Sequence, residues 1–186
     1  MILPIVAYGD PVLRKAGAEI ESSYPNLQQL IDDMFETMER AKGVGLAAPQ
    51  VGKPILLFVV DSNRMYDEDE KKDGIREVFI NARMLKETGE EWPYEEGCLS
   101  IPGIREDVQR KSDIVIEYYD RDFKRHKKEF SGLTARVIQH EYDHTMGKLF
   151  IDHLKPLKKS LLKGRLDKIS KGIVDVDYKM KFPKKG

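Results

Sequence analysis

The segment His140-Glu141-Tyr142-Asp143-His144 carries the strongest chemical signal in the sequence. In an α-helix, positions i and i+4 lie one turn apart on the same face, so both imidazoles can reach one metal ion while Glu141 projects beside them. Two histidines with an adjacent carboxylate are typical of a hydrolytic metal site in which the carboxylate acts as the base. The alternative is an ordinary helix that carries two solvated or hydrogen-bonded histidines.

Such a site needs a third protein ligand, because catalytic zinc sites use three and leave the fourth position open. A zinc protease with the HExxHxxGxxH motif has a histidine where this chain has Phe150, and Glu141 is the last glutamate in the chain. The remaining candidates are the lone cysteine, Cys98, and the downstream residues Asp152, His153 and Asp167. Cys98 follows a glycine that allows close backbone approach, and its thiolate is a good ligand for zinc or iron.

The spacing of apolar residues predicts the elements that must position these groups. Helical spacing predicts amphipathic helices at 26–42 and 132–146 and a basic helix at 157–170. A continuous apolar run predicts a buried strand at 55–60, and an extended loop is expected at 43–50. The shorter predicted strands are 78–81, 83–88, 104–109, 114–119 and 124–130, with an edge strand at 174–182 and a charged surface loop at 62–74. This succession favours antiparallel pairing.

Size, charge and cysteine content exclude several classes of protein. A chain of 186 residues, 40% of them hydrophobic, indicates one domain spanning residues 1–186. The 32 basic and 32 acidic residues leave no net charge, which argues against specific nucleic-acid binding. No apolar run approaches the length of a membrane span, the start lacks a signal peptide, and one cysteine cannot form an internal disulfide. We therefore expect a cytoplasmic protein that does not bind membranes.

Three segments resemble, in order and type, the signature motifs of the peptide deformylases. They are GVGLAAPQ at 43–50, EGCLS at 96–100 and QHEYDH at 139–144. The resemblance extends from DPVLR at 10–14 to about Pro156, whereas the strand-like tail after Ser170 and the acidic stretch at 66–73 vary within the family. It implies an α+β fold with antiparallel β-sheets packed around the HExxH helix and an N-terminal amphipathic helix. It also implies removal of the N-formyl group from the N-terminal formylmethionine of nascent polypeptides.

The resemblance assigns roles to individual residues. Cys98, His140 and His144 would bind the metal, and Glu141 would be the general base and acid. The Gln50 side-chain amide and the Leu99 backbone N–H would stabilise the oxyanion. The residues expected to bind the peptide are Gly43, Val44, Gly45, Glu96, Gly97, Leu133, Arg136 and Val137. For the apolar side chains among them, ordinary core packing is an equal alternative.

The same resemblance implies Fe(II) as the metal, with zinc, nickel or cobalt as substitutes in purified protein. The expected partner is an N-formylmethionyl peptide. The basic stretch at 155–171 suggests contact with the ribosome near the peptide exit, although a solvated helix face is the simpler interpretation. Two alternatives from other classes stay open. One is a metal-stabilised binding module without catalysis, and the other is a zinc peptidase whose third ligand lies downstream of His144.

Overall fold

Three helices and seven strands lie within residues 1–67 and 73–183, which are the residues that the computed structural model describes. The helices are α1 (Leu27–Arg40), α2 (Gly132–Thr145) and α3 (Pro156–Ser170). The strands are β1 (Ile5–Val6), β2 (Gly45–Ala47), β3 (Leu57–Asp61), β4 (Arg76–Cys98), β5 (Ile101–Tyr119), β6 (Arg125–Ser131) and β7 (Met180–Lys181). Short 3-10 helices occupy Pro11–Arg14, Ala48–Val51, Asn63–Met65 and Phe150–His153. The centre of the loop predicted at 62–74 lies outside the described residues.

Strands β2 to β6 form one antiparallel sheet in the order β2-β3-β4-β5-β6, while β1 and β7 form a separate parallel pair. Helix α2 packs against β2, β3, β5 and β6. The predicted α+β class with antiparallel pairing is therefore confirmed. Within the described residues, no helix is both long enough and apolar enough to cross a membrane.

Strand β3, which lies between β2 and β4 in the sheet, separates two parts of the core. Leu57 and Val59 pack on the buried face of α1, while Phe58 and Val60 pack with Ala135 and Ile138 of α2. Successive side chains of a strand point to opposite faces, so the continuous apolar run reflects burial on both sides. The sheet thus lies between the two predicted amphipathic helices, and it holds α2 by its apolar face.

The strands predicted as short segments are parts of two long strands. The predictions at 78–81 and 83–88 both fall in β4, and those at 104–109 and 114–119 both fall in β5. Asn81 interrupts the alternation because it has a left-handed backbone (φ 51°) at a register shift, and its side-chain amide bonds to the Ile20 backbone. A bulge of this kind bends a strand without ending it, so the predicted breaks were wrong.

Two further segments differ from prediction. The stretch at 43–50 is not a loop throughout, because it contains β2 and the 3-10 helix that follows. In the predicted edge strand at 174–182, only Met180–Lys181 is a strand, and it pairs with β1. The preceding residues do not pair with a sheet, so the alternation of Val174, Val176 and Tyr178 predicted too long a strand.

We expect Gly147→Ala to destabilise the protein by about 2 kcal/mol or more, because it adds a Cβ at a left-handed residue. Gly147 ends α2 with φ 75°, and a Cβ there would lie 2.7 Å from the Arg14 carbonyl oxygen. Gly164→Ala is the matched control, because Gly164 lies inside α3 and a Cβ there would meet no atom within 4 Å. That substitution should stabilise by roughly 0.5–1 kcal/mol. Urea unfolding compares the two variants, and equal shifts would contradict the prediction.

Candidate metal centre

Cys98, His140 and His144 come together where the carboxyl end of β4 meets α2. One ligand atom from each lies within 4.8 Å of the other two. The Cys98 Sγ is 3.3 Å from His144 Nε2, and both histidines are buried. One thiolate and two imidazoles form a donor set suited to zinc or ferrous iron, and a three-ligand site leaves room for a further ligand.

The downstream candidates for the third ligand make other contacts. His153 Nε2 lies 2.7 Å from Asp143, Asp152 accepts from Arg14, and Asp167 accepts from Lys171. Within the part of the chain that the structure describes, the group able to hold a metal ion is the one that includes Cys98. This arrangement removes the main support for the alternative of a zinc peptidase with a downstream ligand.

A buried ion-pair network orients His140. Its Nδ1–H donates to Glu96 Oε1 (2.8 Å), which leaves Nε2 as the ring nitrogen free to bind a metal. Arg110 donates to both oxygens of Glu96 (2.8 and 3.0 Å), and Arg136 donates to Oε2 (3.0 Å). Burial alone would raise the pKa of Glu96, but the bonds from His140 and Arg110 hold it well below its usual range. A carboxylate behind a histidine fixes the tautomer and raises the basicity of the ligand.

The electrostatics of the two histidines fit a bound cation. Burial holds the pKa of His144 well below its usual range, so its ring is neutral and can offer a lone pair. Burial also lowers the pKa of His140, but its hydrogen bonds with Cys98 and Glu96 outweigh that effect and raise this pKa well above its usual range. A proton on His140 therefore balances the negative charge of Glu96 and Glu141, and a divalent metal held by Nε2 would take the place of that proton.

Glu141 lies beside this group without belonging to it. The side chain is buried, and within the described residues its Oε2 has no hydrogen-bond partner. Burial raises the pKa of Glu141 to about 7, which is the range in which a general base works at neutral pH. A Cβ at Gly45 would lie 2.5 Å from Glu141 Oε1, so glycine is needed there for β2 to approach the carboxylate.

The Gln50 side chain points toward the same place from the 3-10 helix after β2. Its Oε1 accepts from the Ala47 backbone N–H (2.9 Å), which orients the amide. Its Nε2 donates to Ser100 Oγ (3.2 Å) and lies 3.4 Å from Cys98 Sγ. The amide N–H groups are therefore held beside the candidate metal ligands.

A cleft of about 870 Å³ opens above these groups. Strand β2 is an edge strand of the described sheet and borders this cleft, so it can pair with an added peptide strand. The predicted residues that line the cleft are Gly43, Val44, Gly45, Gln50, Glu96, Gly97, Cys98, Leu99, Arg136, Val137, His140 and Glu141. Leu133 is not among the lining residues, although it lies on the same helix as Arg136 and Val137.

Two predicted peptide-binding residues have side chains that are already engaged. Both oxygens of Glu96 accept from the network behind His140. The Arg136 guanidinium lies 4.5 Å from the Trp92 ring centre and donates to the Trp92 and Val108 carbonyls. These contacts tie β4 and β5 to α2, so the two charged groups support the site from behind.

Sequence patterns missed several residues at the cleft. The tail contributes 175–178, the 3-10 helix Asn63–Met65 contributes Arg64 and Met65, and Lys42 and Arg105 also line the cleft. The alternation of the tail predicts a strand, and nothing in its composition indicates that it lines the cleft. Lys42 directly precedes the first motif, and this position is the local sequence signal that could have indicated it.

An α+β fold whose HExxH helix meets a cysteine from the end of a strand defines a class of proteins with a Cys-His-His metal site. The polypeptide deformylase family model matches residues 2–160. A peptide deformylase of Cytophaga hutchinsonii is 57% identical over 183 residues, covering 98% of each chain.

Solved structures of peptide deformylases have a fold similar to that of this chain. The peptide deformylase of Thermus thermophilus superimposes with a TM-score of 0.81 at 37% identity, covering 92% of this chain and 99% of that one. The peptide deformylase of Legionella pneumophila gives a TM-score of 0.79 at 38% identity, covering 93% and 98%. The chain belongs to the polypeptide deformylase family.

Proposed function

We propose that the protein is a metal-dependent hydrolase that removes the formyl group from the N-terminal formylmethionine of nascent polypeptides. The observation that carries the proposal is the convergence of the Cys98, His140 and His144 ligand atoms beside Glu141 and Gln50, in a cleft bordered by an edge strand. Hydrolysis adds water across the formyl carbon–nitrogen bond and releases formate and a free amino terminus. Membership of the deformylase family supports this reaction.

Cys98, His140 and His144 would hold one metal ion. Such an ion supplies Lewis acidity, which makes water a stronger acid and stabilises negative charge on oxygen. Glu141 would take the proton from the attacking water and return it to the departing amine, so one carboxylate serves as base and then as acid. A cation beside Glu141 would lower its pKa and favour the ionised form that this first step needs.

The oxyanion that develops on the formyl oxygen needs fixed donors. We assign this role to the Gln50 Nε2–H, which lies 3.4 Å from Cys98 Sγ, and to the backbone N–H of Leu99, which follows Cys98 in the chain. The peptide substrate would pair with the backbone of Gly43–Gly45, and its methionine side chain would lie against Val44 and Val137.

We expect Gln50→Leu to lower kcat by about 10²–10³-fold while the metal stays bound, because it removes one oxyanion donor. Ser100→Ala is the comparison variant: it removes the Oγ that accepts from Gln50 (3.2 Å) but leaves the amide itself and its anchor at Ala47. Its loss should stay below about tenfold. The measurements are kcat from steady-state kinetics and the metal content of each variant. A wild-type kcat in Gln50→Leu would exclude Gln50 from catalysis.

The test of the proposed function is hydrolysis of formyl-Met-Ala-Ser by wild type and by Cys98→Ser, each with its metal content measured. We expect formate release from the wild type and loss of both metal and activity in the variant. Metal-loaded wild type without activity would overturn the proposal. Cys98→Ser with full metal content would revive the alternative of a different third ligand.

We further propose that the metal in the cell is Fe(II), since a thiolate with two imidazoles suits ferrous iron as well as zinc. A ferrous site of this kind should be oxygen-sensitive. Protein purified without oxygen should contain iron and lose activity in air, with activity recovered by loading nickel or cobalt. Iron-free protein with stable activity in air would contradict this assignment.

We further propose that the protein works in the cytoplasm, where nascent chains leave the ribosome. Helix α3 exposes Lys159 and Lys163 and is the surface on which ribosome contact should be tested. Reversal of both charges should reduce cosedimentation with ribosomes if the contact exists. Unchanged cosedimentation would leave α3 as a solvated basic face, which has no part in the reaction.

A further inference from the structure

The tail segment, residues 174–178, lies along the cleft with both of its ends anchored. Before it, the Ile173 N–H donates to the Lys168 carbonyl (2.9 Å) at the end of α3. After it, the Lys179 carbonyl accepts from the Ile5 N–H (2.8 Å), where β7 pairs with β1. Residues 175–178 line the cleft. A segment fixed at both ends within a few residues has a defined position, so its contacts with the site persist.

Tyr178 connects this segment to the centre of the site. Its hydroxyl donates to the Leu99 carbonyl oxygen at 2.8 Å. Burial of the phenol raises the pKa of Tyr178 above its usual value. The phenol is therefore protonated at neutral pH and acts as the donor in this bond.

The Leu99 carbonyl belongs to the tight turn that joins β4 to β5, directly after Cys98. The next residue in this turn is held by two other contacts. The Ser100 carbonyl accepts from the Tyr8 N–H (2.8 Å), and the Ser100 hydroxyl accepts from Gln50 (3.2 Å). Leu99 is held in a similar way, because its carbonyl accepts the hydrogen bond from the Tyr178 hydroxyl.

The N–H and the carbonyl of Leu99 belong to two peptide planes that meet at one Cα. A fixed carbonyl limits rotation at this Cα and with it the direction of the N–H. We propose that Tyr178 is a positioning residue for deformylation, which holds Leu99 so that its N–H points at the developing oxyanion. This inference rests on the proposed function and extends the reacting site to a residue of the tail.

Tyr178→Phe tests the inference, because it removes the hydroxyl and keeps the ring. We expect kcat for formyl-Met-Ala-Ser to fall roughly three- to tenfold, as for loss of one neutral hydrogen bond, with KM within about twofold and metal content unchanged. Tyr119→Phe is the matched control, because Tyr119 packs on Phe123 and does not line the cleft. Its kinetics should equal those of the wild type.

Tyr178→Leu separates the hydroxyl from the ring. If Tyr178→Phe matches the wild type and only Tyr178→Leu loses activity, the ring packs the tail and the positioning role is wrong. A fall in metal content, or a rise in KM that accounts for the whole loss in kcat/KM, would also overturn it. Inactive metal-loaded wild type would instead refute the proposed function, so the two failures are distinguishable.

Discussion

Glu141→Gln is expected to lower the rate of deformylation by about 10²–10⁴-fold, the usual contribution of a positioned general acid–base. The substitution keeps the size of the side chain and its place beside Gly45, but the amide cannot accept the proton of the attacking water. Glu141 is not one of the three candidate ligands, and its Oε2 makes no hydrogen bond within the described residues. The loss should therefore appear in kcat, with the metal retained.

The measurement is kcat on formyl-Met-Ala-Ser, together with metal content and the unfolding midpoint of the same preparation. Gln139→Glu is not a suitable control, because Gln139 is itself buried and donates to the Lys111 and Ala135 carbonyls. Glu129→Gln on β6 is the better one, because this residue is exposed and does not line the cleft. Full activity in Glu141→Gln would favour the alternative in which the metal only stabilises a binding module.

The sequence predicted the centre of the site because helical geometry is local. His140 and His144 share a face of α2 whatever the rest of the chain does, and the apolar spacing of the same segment predicts the face that packs on the sheet. Cys98 has no such relation to them, since 42 positions separate it from His140. Cys98 could be predicted as a metal ligand only because the usual third ligand is absent and because the family motifs include this cysteine.

The surroundings of the site depend on contacts that sequence spacing does not encode. Glu96 meets Arg110 because β4 and β5 form one long hairpin with register shifts, and each shift changes which side chains face the core. The alternation of a single strand cannot place such shifts. Tyr178 reaches Leu99 through the pairing of β7 with β1, which joins the two ends of the chain.

The prediction that residues 1–186 form one domain stays a prediction, as do the roles of individual residues in the reaction. What is confirmed is the α+β class, the two amphipathic helices and the family. Local periodicity was enough to predict the helices. The strand boundaries and the position of the tail depend on pairing partners that are far away in the sequence, so periodicity did not predict them.

Glu96→Gln is expected to destabilise the protein by about 3–5 kcal/mol, because it removes the buried charge that neutralises two buried guanidinium groups. Arg110 would keep its bond to Asp143 (2.9 Å), but Arg136 would keep only backbone carbonyls as acceptors. A loss of this size lowers the thermal midpoint of a chain of this length by roughly 2–4 °C for each kcal/mol.

The same substitution should weaken metal binding by about 10–100-fold, since a neutral amide behind His140 raises the basicity of the ring less than a carboxylate does. Glu95→Gln is the matched control at the neighbouring position. Glu95 pairs with Arg105 in solvent, with both side chains about 60% exposed, so its loss should cost less than about 1 kcal/mol. Urea unfolding and competition with a metal chelator measure the two effects. Equal behaviour of the two variants would mean that the buried charge contributes no more than a surface charge, and the network would then have no part in holding the metal ligand.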